Sequence, residues 1–92
     1  MQVFQLNKFL EDLAAIVNMD SNGFDPEGTT RVADYLVSMF SGQAWQIKRV
    51  DVGTKVANGV QITNTTEEEY DVLLMAHMDT VFDRGEVAKR PF

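Results

Sequence analysis

The sequence predicts an α/β fold in which two helices precede three strands of a mixed sheet. Apolar residues recur at helical spacing near the start, alternate at strand spacing in the middle, and form an uninterrupted run at residues 72–76. The chain has 92 residues, of which 45% are hydrophobic and 24% charged, which is typical of one small folded domain. We therefore expect a single domain over residues 1–92.

The first predicted element is an amphipathic helix within residues 3–17. Its apolar residues share one helical face: Leu6, Phe9, Leu10, Leu13, Ile16 and Val17. The residues that follow it are rich in Asn, Asp, Ser and Gly, which favour turns. A loop is therefore expected before the second helix.

The second helix is predicted over residues 26–41. Asp25 is a suitable N-cap, and Pro26 after it has a φ already set for a first helical turn. Because Gly28 weakens that turn, Thr29 or Thr30 is an alternative cap.

Two strands are predicted next. The first contains Trp45, Ile47, Val50 and Val52, with a slip at residues 48–49 that would fit a β-bulge. The second alternates Val60 and Ile62 with polar neighbours, and residues 53–55 would fold it back on the first as a hairpin. An alternative turn at residues 58–59 would instead pair residues 55–57 with residues 60–62.

Residues 72–76 form the predicted third strand. They are apolar at consecutive positions, so a strand here would be buried on both faces inside a covered sheet. Two helices and two strands can shield only part of it. We therefore expect an open sheet edge that either self-associates or is covered by further chain.

The only histidine, His77, directly follows this run, and Asp79 comes two positions later. Ligands of open α/β sheets bind beyond the carboxyl ends of the strands. Neutral imidazole binds zinc through one nitrogen when the other donates a hydrogen bond to an acceptor such as a carboxylate. The spacing fits such a pair, and equally fits a hydrogen-bonded pair at a strand end that holds no metal.

Charge and composition exclude several function classes. The net charge of -6 repels phosphates and anionic lipid headgroups, so neither nucleic acid nor a membrane is an expected partner. The absence of cysteine excludes thiol catalysis and cysteine-bound metal. Without an apolar run of membrane-spanning length or a secretory leader pattern, a cytoplasmic location is expected. Arg84, Lys89 and Arg90 form a basic group that either steers an acidic substrate or is solvated.

Residues 73–82 read Leu-Leu-Met-Ala-His-Met-Asp-Thr-Val-Phe, and Gly85 and then Arg-Pro-Phe at residues 90–92 follow. This string resembles the zinc-dependent exopeptidase and deacylase family. The family includes glutamate carboxypeptidase, acetylornithine deacetylase, succinyl-diaminopimelate desuccinylase and tripeptide aminopeptidase. The resemblance is closest to the glutamate carboxypeptidase branch and extends more loosely to the two helices upstream.

The resemblance implies that His77 is a zinc ligand and that Asp79 is the catalytic-site carboxylate that orients it. It implies zinc as the cofactor and the amide bond of a peptide or an N-acyl amino acid as the substrate. It also implies a zinc-exopeptidase catalytic-domain fold in which the third strand lies beside and parallel to the first, with the second at the edge.

Members of this family need further carboxylate ligands, a general base and a second histidine downstream of the motif, and these are missing from the present sequence. We therefore expect an N-terminal portion of a metallopeptidase that does not hydrolyse peptides by itself. The alternative is a non-catalytic small α/β domain that self-associates through its open sheet edge.

Overall fold

A computed structural model describes residues 3–40, 42 and 44–92. In this part of the chain the elements are α1 (Leu6–Val17), α2 (Pro26–Ser38), β1 (Gln46–Val50), β2 (Gly59–Thr63) and α3 (Glu86–Lys89). The two strands form one antiparallel sheet. The predicted mixed α/β class is confirmed, whereas the third strand is absent from the described residues and α3 was not predicted.

Both predicted helices are present. The Asp25 carboxylate accepts a hydrogen bond from the Gly28 N–H at 3.3 Å, so Asp25 is the N-cap of α2 and the alternative caps are wrong. The helix ends at Ser38, and the predicted end at Ser41 lies outside the described residues. No helix in the described part of the chain combines the length and the apolar composition needed to cross a membrane.

Asp12 joins the two helices. This buried residue accepts hydrogen bonds through Oδ1 from the Tyr35 hydroxyl at 2.7 Å and from Lys8 Nζ at 3.0 Å. The Tyr35 hydrogen bond, followed by that of Lys8, lowers the pKa of the Asp12 carboxyl. On α2, Val32 and Ala33 are the buried apolar residues of the described chain.

The hairpin forms in the predicted orientation. Gln46 pairs with Thr63 and Val50 with Gly59, and the pairing continues through residues 48–49 without the expected bulge. Residues 51–58 connect the strands, so the connection is longer than the predicted turn at residues 53–55, and the alternative pairing of residues 55–57 is wrong. Arg49 Nη2 lies 2.8 Å from Asp34 Oδ1, which joins β1 to α2.

The apolar segment (residues 72–76) does not form the expected strand. It lacks ladder pairing with any described residue, and Leu74 is 89% exposed. A strand needs a neighbour that accepts and donates its backbone hydrogen bonds, and neither β1 nor β2 provides one here. The predicted parallel pairing with β1 and the covered central position are therefore not found in the described residues.

The chain is more open than a typical domain of its size. It exposes 7621 Å² of surface, whereas a folded monomer of its mass exposes about 5400 Å². Its radius of gyration is 14.7 Å, compared with about 12 Å for a compact domain of this length. The apolar segment is part of this uncovered surface.

Candidate metal-binding site

His77 lies directly after the apolar segment, and its side chain is 86% exposed. Its Nδ1 atom lies 2.8 Å from the backbone oxygen of Asp79 and 3.2 Å from Oδ1 of the same residue. Both neighbours are hydrogen-bond acceptors, so Nδ1 must carry the proton when either bond forms. The neutral ring then has its lone pair on Nε2, which is the form that binds a metal through Nε2.

Asp79 contacts His77 and also lines a cleft beside the α1–α2 loop and the β1–β2 loop. One carboxylate oxygen contacts the imidazole, while the other points towards Gly23 in the loop between α1 and α2. The cleft has a volume of about 230 Å³ and is lined by Gly23, Thr29, Val52, Val56, Ala57, Asn58, Gly59, Met78 and Asp79. The imidazole itself does not line the cleft, and the residues before it do not form the strand at whose end a crevice was expected.

The interhelical loop (residues 18–25) holds the chain immediately after Asp79. The Thr80 N–H donates to the Ser21 carbonyl at 2.7 Å, and the Gly23 N–H donates to the Thr80 carbonyl at 3.1 Å. These two hydrogen bonds form a parallel bridge centred on Asn22 and Thr80. The backbone that carries the Asp79 carboxylate is therefore fixed on one side.

An ion pair joins α2 to the post-motif segment (residues 80–92). Arg84 Nη2 donates to Asp25 Oδ1 at 2.6 Å, and Arg84 Nε donates to Oδ2 at 3.0 Å. This two-point hydrogen bonding holds the pKa of the Asp25 carboxyl below its usual value and raises the pKa of Arg84. Asp25 thus caps α2 and anchors the post-motif segment at once.

Two further residues of the interhelical loop accept hydrogen bonds from the same segment. Asp20 accepts from the Gly85 N–H at 3.1 Å and the Val87 N–H at 3.3 Å, which satisfies backbone donors at the start of α3. Asn18 Oδ1 accepts from the Phe92 N–H at 2.8 Å. The loop therefore contacts the post-motif segment along most of its length.

The sequence interpretation missed these anchoring residues. The Asn and Asp residues of the interhelical loop were assigned to turn formation alone, and nothing in local sequence spacing pairs them with residues 80–92. The basic group is also paired: Arg84 binds Asp25, while Arg90 and Lys89 lie 2.9 Å and 4.0 Å from carboxylate oxygens of Glu86. These cations therefore contact carboxylates of the chain and, as the solvated alternative predicted, remain mostly exposed.

His77 and Asp79 alone provide too few donors for a metal site. Among the described residues there is no group of three or more His, Asp or Glu side chains that could hold a metal ion. A catalytic zinc takes three protein ligands and leaves one position for water. The described residues thus offer one imidazole and one carboxylate in contact with it, which fits zinc in donor type but not in number.

Comparisons of the chain with models of known protein families, with curated proteins and with solved structures found no match.

Proposed function

We propose that these residues belong to a zinc-dependent hydrolase of the carboxypeptidase or deacylase type, in which His77 binds zinc through Nε2. Asp79 holds the ring in the required tautomer and orientation. The observation that carries this proposal is the placement of two Asp79 oxygen acceptors at Nδ1 of an exposed imidazole. The resemblance of residues 73–82 to the zinc-dependent exopeptidase and deacylase family supports the same assignment.

The proposed substrate is an amide bond in a peptide or an N-acyl amino acid. Bound zinc would lower the pKa of a water molecule and polarise the scissile carbonyl. This chain contributes His77 as a ligand and Asp79 as its partner, while the general base and the remaining ligands come from residues outside it. The 92 residues alone are therefore not expected to hydrolyse an amide.

The apolar segment has a place in this proposal. In the complete enzyme it would form a central strand parallel to β1, covered on both faces by chain that these residues do not include. Its exposed apolar side chains and the surface in excess of a compact monomer support that arrangement.

Zinc titration of the 92-residue chain, followed by NMR of the single imidazole, tests the site directly. We expect dissociation constants weaker than micromolar, because one ligand cannot hold zinc tightly, together with selective shifts of the His77 signals. His77→Ala should abolish this binding. Asp79→Asn should weaken it by about 10-fold or more, because the orienting acceptor is altered.

Asp71→Asn is the matched control, since it removes the same charge from a carboxylate outside the contacts with His77. Binding at micromolar affinity or tighter would contradict the assignment of a single ligand. Binding that survives His77→Ala would contradict the assignment of His77.

The longer protein, where the gene encodes one, tests the activity. We expect zinc-dependent release of an amino acid from a dipeptide or an N-acyl amino acid, with loss of activity in His77→Ala. A coding sequence that supplies no further carboxylate and histidine ligands would contradict the proposal.

A second candidate function is self-association through the sheet. Both outer edges of the two-stranded sheet lack a partner strand among the described residues, and the apolar segment next to it in sequence is exposed. This candidate predicts a concentration-dependent dimer without zinc, measured by analytical ultracentrifugation.

A further inference from the structure

Gly23 of the interhelical loop faces the Asp79 side chain at unusually short range. A Cβ atom built on Gly23 would lie 2.5 Å from Oδ2, 3.5 Å from Cγ and 3.9 Å from Cβ of Asp79. These are its three nearest neighbours, so the space that a side chain at position 23 would need is occupied by one carboxylate. The backbone does not require glycine here, because the φ of Gly23 lies outside the left-handed region.

The loop around Gly23 cannot easily move away from Asp79. The Gly23 N–H donates to the Thr80 carbonyl. The adjacent Asn22 carbonyl accepts from the Thr29 hydroxyl at 3.2 Å and from the Asp25 N–H at 2.8 Å. Thr29 is buried in the first turn of α2. The backbone around Gly23 is therefore held by hydrogen bonds to Thr29 of α2 and to Thr80 of the post-motif segment.

The Asp79 side chain can rotate more easily than the loop can move. It is 47% exposed and turns about two bonds, whereas the loop would have to break several hydrogen bonds to retreat. Rotation that takes Oδ2 away from position 23 also moves Oδ1, the atom that lies 3.2 Å from His77 Nδ1.

We infer that Gly23 is a positioning residue: by carrying no side chain it lets the Asp79 carboxylate adopt the rotamer that contacts His77. The consequence for zinc binding rests on the proposed function, whereas the rotamer itself does not. Gly28 has a different role, because a Cβ there would collide with the Asp20 backbone carbonyl rather than with a side chain of the site.

The test compares Gly23→Ala with Gly59→Ala in the full chain. Gly59 lines the same cleft, but a Cβ there would lie 3.8 Å from its nearest neighbour, the Val50 carbonyl oxygen, which is ordinary contact. Three-bond couplings to Asp79 Cγ report the side-chain rotamer. We expect Gly23→Ala to change these couplings and to weaken zinc binding at His77 by about 10-fold, the same loss that we expect for Asp79→Ala, while Gly59→Ala should change neither.

A double-mutant cycle separates positioning from a general effect on folding. In an Asp79→Ala background the new methyl group has room, so Gly23→Ala should cause no further loss of zinc affinity or of melting temperature. An equal loss in both backgrounds, an unfolded double variant, or unchanged Asp79 couplings in Gly23→Ala would overturn the inference. If the wild-type chain binds no zinc at His77, the proposed function fails, and the couplings still decide the role of Gly23.

Discussion

The chain on the two sides of the His77 and Asp79 pair is held in different ways. The apolar segment before it is exposed and has no strand partner in the part of the chain that the structure describes, whereas the post-motif segment donates hydrogen bonds to the interhelical loop. Polar side chains can fix a segment with partners from a single loop. A segment that is apolar at consecutive positions needs neighbouring strands and cover to form an interior strand, and neither β1 nor β2 pairs with it.

Removal of the Asp25 carboxylate should reduce the stability of the post-motif segment the most. Asp25→Ala eliminates the cap of α2 and the ion pair with Arg84, so we expect the melting temperature to fall by about 5 °C or more. Arg84→Ala keeps the cap and eliminates the ion pairs of Arg84 with Asp25 and Glu27, so it should have a smaller effect. Hydrogen exchange should show lost protection at the amides of Gly85 and Val87.

Lys55→Ala is the control for these variants, because it removes an exposed cation from the loop between β1 and β2. A melting temperature that Asp25→Ala leaves unchanged would show that the post-motif segment is held by other contacts.

A low pH should reduce the stability that the Asp25 carboxylate contributes to α2 and the post-motif segment. Arg84 lowers the pKa of Asp25 in the folded chain below the usual value of 3.8, so the ionised carboxylate adds stability above that pH. The added stability is lost as the pH falls through the folded-state pKa. The difference in melting temperature between wild type and Asp25→Asn should therefore shrink as the pH is lowered from about 6 to about 3. A difference that grows on acidification would contradict this assignment.

A charge in the apolar segment should have the smallest effect on stability. Leu74→Asp places a carboxylate on an exposed side chain, so we expect the free energy of unfolding to change by about 0.5 kcal/mol or less. Self-association measured by ultracentrifugation should decrease. The same substitution at Val32, which is 1% exposed, is the matched contrast and should unfold the chain. Equal destabilisation at the two positions would show that the apolar segment is packed in solution.

Local sequence signals predicted the elements that depend on local interactions. Helical spacing and the Asp25 and Pro26 pair identified α1 and the start of α2, and the alternation around Ile47 and Ile62 identified the hairpin. The short helix α3 was missed because its amide donors at Gly85 and Val87 are satisfied by Asp20, far away in the sequence.

The predicted third strand shows that an apolar pattern can indicate burial in a segment that the folded chain leaves exposed. The run of apolar side chains at residues 72–76 is typical of an interior strand, yet formation of that strand requires backbone partners that local sequence cannot supply.

The candidate site combines one local contact with contacts between distant parts of the sequence. The contact between His77 and Asp79 is local and follows from their spacing, whereas the closeness of Gly23 and the ion pair of Arg84 with Asp25, which are 59 positions apart, depend on the folded chain.

The tautomer of His77 tests the central claim most directly. Because the chain has a single histidine, long-range ¹H–¹⁵N correlation spectra of the neutral ring report this residue alone. We predict that Nδ1 carries the proton in the wild-type chain, that Asp79→Asn reduces this population, and that added zinc shifts Nε2. A ring protonated mainly on Nε2, or a zinc-induced shift confined to Nδ1, would contradict the account.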